Sequence, residues 1–267
     1  MRIHVCLKEI QNPEISASIF KIDEEQRVAI PLAGLPLVTS PFDEQAIEAA
    51  LRIRDKGATC RITALSFGPD TAQRAIKRAL SMGVDDGILV ADAGRETADS
   101  METAYILAAA IKRAGDFDLI LTGRQAADWD AGIVGCGVAE LLRIPVITFA
   151  MNVEVRGSRV VVERVLEDGS EIVEAPMPCV VTVSNELGEP RKASLRETMR
   201  AAKKPIEKWT CESIGITPGN LPFEERPQQR ERLFIPTKDA CCEMVTGASP
   251  DEVAKNLVSR LATTRLI

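Results

Sequence analysis

The sequence predicts an α/β fold, a mostly parallel sheet covered by helices and continued by an extended C-terminal arm. Short apolar runs bounded by turn residues recur through the first 150 residues, at 2–7, 61–67, 87–90, 119–122 and 144–149, the pattern of strands buried on both faces. Stretches of helical period lie between them. A chain of 267 residues with 45% hydrophobic content can bury a full core beneath such a sheet.

The elements follow in order. MRIHVCLKEI is a first strand, lacking the long apolar core and small-residue cleavage site of a signal peptide. A helix is expected over 41–56. From Asp70, a candidate N-cap, to the stop at Gly83, residues Ala72, Ala75, Ile76, Ala79 and Leu80 fall on one face. Ala104, Leu107, Ala108 and Ile111 repeat the pattern before Gly115, and Val134, Val138, Leu141 and Leu142 follow an aspartate-glycine segment at 128–135. Alternation of this kind implies right-handed crossovers, with ligands at the carboxyl ends of the strands. After residue 150 the character changes: 159–166 and 170–175 flank the turn Glu167-Asp168-Gly169, a hairpin, and 179–183 is one more buried strand. Beyond Ser184 the chain turns polar and basic. The stretch 209–238 holds four prolines and little periodicity, the composition of an extended arm, and a final short helix is expected over 250–261.

Several function classes fall away. The formal charge is −6 with both signs interspersed, which gives no electrostatic footprint for nucleic acid or an anionic membrane. No run approaches the roughly 18 apolar residues of a membrane span, so direct membrane insertion is not expected and the cytoplasm, or a matrix-like compartment, is. The seven cysteines form no C-x-x-C pair and read as small buried or idle thiols, Cys241-Cys242 being the one oddity. His4, the single histidine, sits inside the first strand and reads as a core residue, which leaves no histidine for a catalytic triad or a metal site. The turn Lys8-Glu9-Ile10-Gln11-Asn12-Pro13 lacks the glycines that bring a dinucleotide fold against a pyrophosphate, and no G-x-x-x-x-G-K-[ST] occurs.

One segment carries chemistry. Leu121 to Gly135 follows the fourth strand, holds three glycines and opens a helix, whose free N–H groups and dipole attract phosphate. The residues alone equally allow a plain alternative, in which Asp130 caps the helix and the glycines permit tight packing. Trp129 suits stacking on an adenine or ordinary packing, and Asp128 with Asp130 suits orienting the loop better than acid–base work.

Gly123-Arg124-Gln125-Ala126, the acidic pair Asp128 and Asp130, and Gly135 at a helix start closely resemble the nucleotide loop of electron-transfer flavoprotein beta subunits. Ser40-Pro41-Phe42-Asp43-Glu44, Ala79-Leu80-Ser81-Met82-Gly83 and Asn185-Glu186-Leu187-Gly188-Glu189-Pro190-Arg191 leading to Leu195 match in the same order. The resemblance implies an adenine-nucleotide-hydrolase-like, Rossmann-like fold that buries one AMP without turnover, while the redox-active FAD is held mainly by an alpha subunit. It carries over cofactor contacts at Cys6, Ser40, Pro41, Phe42, Asp43 and Phe67, and along the loop at Gly123, Arg124, Gln125, Asp128, Asp130, Ala131, Gly132, Ile133, Val134 and Gly135. Glu189, Pro190, Arg191 and Leu195 are carried over as the surface that docks to dehydrogenases. The implied division is a nucleotide-binding domain at 1–183, a partner-recognition loop at 184–206 and an arm at 207–267 that contacts the alpha subunit.

By this resemblance the chain is a carrier subunit and not an enzyme. It takes electrons from dehydrogenases, such as acyl-CoA dehydrogenases, to a membrane quinone oxidoreductase or another acceptor. Two alternatives stay open. In a bifurcating, NADH-using branch a second FAD occupies the AMP pocket, and here the span Ala131-Gly132-Ile133-Val134 lacks the side-chain phosphate donors many relatives carry. A stand-alone ATP-binding stress-type module shares the fold class, but the 179–186 region lacks the glycine-rich phosphate loop usual there.

Overall fold

The structure, a computed structural model, describes residues 1–16, 18–92, 98–217, 228, 230–236 and 242–267. The chain runs through strands β1 (Arg2–Leu7), β2 (Glu9–Ile10), β3 (Lys21–Asp23), β4 (Val28–Ile30) and β5 (Val38–Thr39) into helix α1 (Pro41–Asp55). Then come β6 (Arg61–Gly68), α2 (Gln73–Met82), β7 (Asp86–Ala91), α3 (Ser100–Ala114), β8 (Leu119–Gly123) and α4 (Val134–Leu142). The second half holds β9 (Val146–Arg156), β10 (Arg159–Leu166), β11 (Gly169–Pro176), β12 (Cys179–Val183), α5 (Leu195–Lys203), β13 (Glu207–Trp209) and α6 (Pro250–Thr263).

Nine strands form one sheet in the order β11-β10-β9-β12-β8-β1-β6-β7-β13. All pairs from β9 to β13 are parallel, and β10 and β11 add an antiparallel hairpin at the β9 edge. From β1 the chain winds to β6 and β7 on one side, then returns to place β8 on the other side of β1. That reversal is the point where open α/β sheets leave a crevice.

Side-chain alternation along β1 sorts the two faces. Ile3, Val5 and Leu7 pack with Ile47 and Leu51 of α1 and with Ile76 and Ala79 of α2. Cys6 faces Ile106 and Ile111 of α3 and Val138 of α4. Helix α1 starts where proline is favoured, with Pro41 in its first turn, and carries Asp43 and Glu44 at its start and Arg52 and Arg54 at its end, the charge order that suits the helix dipole.

The structure corrects four local expectations. Asp70 does not cap α2: it opens a single 3-10 turn, Asp70–Ala72, and pairs with Lys208 at 2.9 Å. The strand expected over 144–149 runs on to Arg156, turning at Phe149 (φ 60°), so its first half pairs with β12 and its second with β10. The stretch 184–206 contains a helix, α5, which packs on α2. The chain does not leave the domain at residue 207: β13 extends the sheet, and Trp209, Cys211 and Ile216 are buried against the α3 face. The central part of the expected arm, 218–227 with 229 and 237–238, lies outside the described residues, as does Cys241 of the cysteine pair; the other six cysteines are free thiols.

His4 is 4% exposed with Phe117 edge-on at 6.3 Å, and neither ring nitrogen has a hydrogen-bond partner among the described residues. Burial, helped by the charge of Arg2, holds its pKa down to about 4. Above the unfolded value of about 6.5 both states are neutral. As pH falls from there the unfolded chain takes up a proton that the native chain refuses, so stability drops by about 1.4 kcal/mol per pH unit until the native pKa is reached. Compared with His4→Leu, the native chain should therefore lose roughly 3 kcal/mol more between pH 6.5 and 4; parallel urea-derived stability profiles for the two proteins would contradict this.

Candidate functional site

The ladder between β1 and β8 pairs Ile3 with Leu119, His4 with Ile120 and Val5 with Leu121. Beyond it the two strand ends need other acceptors for their N–H groups. Asp43, in the first turn of α1, supplies both: one carboxylate oxygen accepts from Lys8 N at 2.7 Å and the other from Gly123 N at 3.1 Å. Burial pushes its pKa up to about 7, against the pull of those two donors and of the Lys8 charge. Ser40, fully buried one turn earlier, donates its N–H to Lys8 O at 3.0 Å, and its hydroxyl lies 3.4 Å from Ala127 N. Lys8 in turn grips Asp128, its Nζ 2.9 and 2.7 Å from the two carboxylate oxygens.

Residues 40–43 and the loop after β8 are thus brought together at the crevice. Gly123 is required there, because a Cβ would lie 2.6 Å from Asp43 Oδ1 and 2.9 Å from the Phe42 backbone carbon. Gly135 is required for the same reason at the start of α4, where a Cβ would meet Thr122 Oγ1 and Thr182 Cγ2 at 2.7 Å each. Asp130 does not cap α4. It adopts a left-handed conformation (φ 50°) and accepts from Gln125 Nε2 at 2.8 Å, so it shapes the loop. The N-cap position falls to Ile133, whose side chain makes no capping hydrogen bond to the first N–H groups of α4. Ala131 and Gly132 are exposed and Ile133 and Val134 half-buried, leaving those backbone donors as the loop's means of holding an anion.

Arg124 brings a guanidinium to the crevice. Its guanidinium lies 4.8 Å from the centroid of the Phe42 ring and 5.8 Å from that of Phe149, and Nη1 donates to Ser184 Oγ at 3.1 Å. Among the described residues its Nε is buried with no hydrogen-bond partner, an orphan donor of the kind that a bound ligand satisfies. Ser184 Oγ also bonds Glu186. Cys6 and Phe67 occupy the carboxyl ends of β1 and β6 on the α3 and α4 face; burial, then the Asp43 charge, pushes the Cys6 thiol up to about 12, so it is an inert wall. Pro41 is exposed at the rim. Trp129 is 46% exposed, with the Arg230 guanidinium 4.2 Å from its ring centroid.

The four docking candidates lie elsewhere. Glu189 is exposed and Pro190 half-buried on the approach to α5, and Leu195 is the first residue of that helix, 78% exposed. Arg191 is turned inward, onto Glu48 and Asp55. The helix is closed by a capping box between Ser194 and Glu197, and the pattern Ser194-Leu195-Arg196-Glu197 was its signal in the sequence. Sequence reading missed Lys8, Ser184 and Glu48, each of which acts through a partner more than 50 residues away.

Substituting Gly123→Ala should lower stability by about 1–3 kcal/mol, since both atoms it meets are fixed by the Asp43 clamp. Gly169→Ala, where a Cβ would have nothing within 4 Å, should change it by less than about 0.5 kcal/mol. Urea unfolding of the two variants checks the contrast, and equal effects would contradict it.

Comparison with known proteins identifies the family. The model of the electron transfer flavoprotein domain matches residues 33–213. The chain is 36% identical over 267 residues, the whole of both chains, to the caffeyl-CoA reductase-Etf complex subunit CarD of Acetobacterium woodii. It is 36% identical over 242 residues, 88% of each chain, to the electron transfer flavoprotein subunit beta of Megasphaera elsdenii. It is also 31% identical over 274 residues, again the whole of both chains, to the acryloyl-CoA reductase electron transfer subunit gamma of Anaerotignum propionicum. Matched over residues 33–213 by the family model and along 88% or more of its length by these relatives, the chain belongs to the electron transfer flavoprotein family, as a subunit of the beta type.

Proposed function

We propose that this chain is the nucleotide-holding and partner-docking half of a two-subunit electron carrier, completed by an alpha-type subunit. The observation that carries the first role is the crevice at the chain reversal: an α4 start whose N-cap side chain makes no capping bond, and an Arg124 Nε that is buried with no hydrogen-bond partner among the described residues. An adenylate fits this donor set, with phosphate on the N–H groups near Ile133, Val134 and Gly135 and further hydrogen bonding from Arg124 and Ser40. The other carried-over contacts, Cys6, Pro41, Phe42, Asp43, Phe67, Gln125, Asp128, Asp130, Ala131 and Gly132, wall or shape the same space. AMP bound there supplies no redox chemistry, which belongs to an FAD held mainly by the alpha-type subunit. This chain binds, orients and docks, and has no turnover of its own.

A second reading is favoured by the relatives' names, two of which denote electron-transfer parts of acyl-CoA reductase complexes. In it the same pocket takes the adenylate part of a second FAD, and the complex bifurcates electrons from NADH. In the first reading the donors are instead dehydrogenases such as those of the acyl-CoA type, and the acceptor is a membrane quinone oxidoreductase or another carrier, with the complex working in the cytoplasm. Among the described residues no helix is long and apolar enough to cross a membrane.

Copurification with the alpha-type subunit followed by nucleotide extraction and mass spectrometry separates these readings. One AMP and one FAD per heterodimer is the expected result; two FAD and no AMP would establish the second reading, and FAD without any nucleotide attributable to this chain would refute both. Docking has its own test. Burying Leu195 on a partner is worth roughly 1.5–3 kcal/mol, so Leu195→Ala should weaken dehydrogenase binding by at least about tenfold with flavin content unchanged. Affinity within about twofold of the native complex would remove Leu195 as the anchor.

A further inference from the structure

The segment leading into the helix that presents Leu195, and the C-terminal end of that helix, are fastened to the domain by side chains from α1 and α2. Glu48, in the middle of α1, is 5% exposed. Its Oε2 accepts from the backbone N and the Nε of Arg191 at 3.1 and 2.8 Å, and its Oε1 from Arg191 Nη2 at 3.2 Å and Arg52 Nε at 3.0 Å. Arg191 Nη2 also reaches Asp55 at 2.6 Å. Burial pushes the Glu48 carboxyl up, but the hydrogen bonds from Arg191 and Arg52 outweigh it and hold the group below the usual range. At the other end of α5, Lys77 Nζ donates to the carbonyls of Ala201 at 3.0 Å, Ala202 at 3.0 Å and Lys204 at 2.5 Å. Carbonyls at a helix C-terminus have no partner within the helix, and a cation is favoured there. Between the two fastenings Leu195 and Met199, one turn apart on a shared face, are 78% and 60% exposed.

We propose that Glu48 and Lys77 are positioning residues for partner docking, with Arg191 an internal pin between Glu48 and the docking segment rather than a contact to the partner. The proposal rests on the reading that α5 docks to a dehydrogenase. Both ends must hold for α5 to keep one pose, because a nine-residue helix is too short to be stable by itself in water. Loss of either fastening lowers the fraction of α5 in the competent pose, and apparent affinity falls by that fraction. A rim contact behaves differently: removing its charge alters the encounter rate and the salt dependence.

The experiment uses the intact heterodimer as substrate for its dehydrogenase, with variants Glu48→Gln, Arg191→Met, their double and Lys77→Met. Each single change should raise the KM for the heterodimer by at least about fivefold at constant kcat, with the slope of affinity against salt unchanged. The double should be within about twofold of the worse single, since both break one link. Amide exchange across 191–204, measured without dehydrogenase, should rise in every variant. Flavin content and heterodimer yield check folding; if Glu48→Gln fails that check, Arg191→Met on the half-buried end of the link carries the test. A shallower salt slope for Arg191→Met, or effects that multiply in the double, would make Arg191 a partner contact and overturn the proposal. Unchanged exchange and KM in the single variants would overturn the fastenings. Raised exchange with KM unmoved both in these variants and in Leu195→Ala would instead overturn the docking reading, and with it the role proposed for the fastenings.

Discussion

One buried carboxylate holds the site in place. Asp43 takes the N–H groups of Lys8 and Gly123 at the point where β1 and β8 stop pairing, so a single side chain ends two strands and ties both to the start of α1. A backbone donor left without a partner there would cost about 1–3 kcal/mol each. The N-terminal end of a helix dipole also favours a negative charge. Three parts of the crevice hang from this clamp: Ser40 on Lys8, Asp128 on Lys8, and the entry of the glycine loop at Gly123.

The same helix serves the opposite task further along. Its first turn organises the crevice through Asp43, and Glu48 and Asp55 later in it take hold of the segment leading to α5. The crevice and the segment leading to α5 therefore share one rigid support, buried through Ile47, Leu51 and Ile53. Arg191 shows why charge pattern alone misleads: in the sequence it heads a basic stretch, whereas in the fold its donors are occupied by two carboxylates from α1.

The sheet and its covering helices were legible because long periodic segments state their own burial, as 61–67 and the Ala75, Ile76, Ala79, Leu80 stripe do. The loop at 123–135 was legible as a glycine-bearing segment that follows a strand and opens a helix, but which aspartate did what was not. Asp130 sits where a cap should, yet a left-handed backbone turns its side chain to Gln125, and nothing local announces that choice. Asp43 could be placed at a helix start but not on Gly123, 80 residues distant. β13 is three residues long and has no periodicity to read; it is held by Trp209 and by its neighbour β7.

The two margins of the sheet bear on the life of the chain before it meets a partner. Exposed strand edges are templates for uncontrolled pairing. At one margin β13 offers only three residues, too little for a lasting ladder. At the other, β11 is eight residues long and exposes Ile172, but Glu171 and Glu174 line it, held by Arg164 and Arg159 of β10. A newly made subunit waiting for assembly thus carries its own protection against fibre growth, in charged gatekeepers on one flank and brevity on the other.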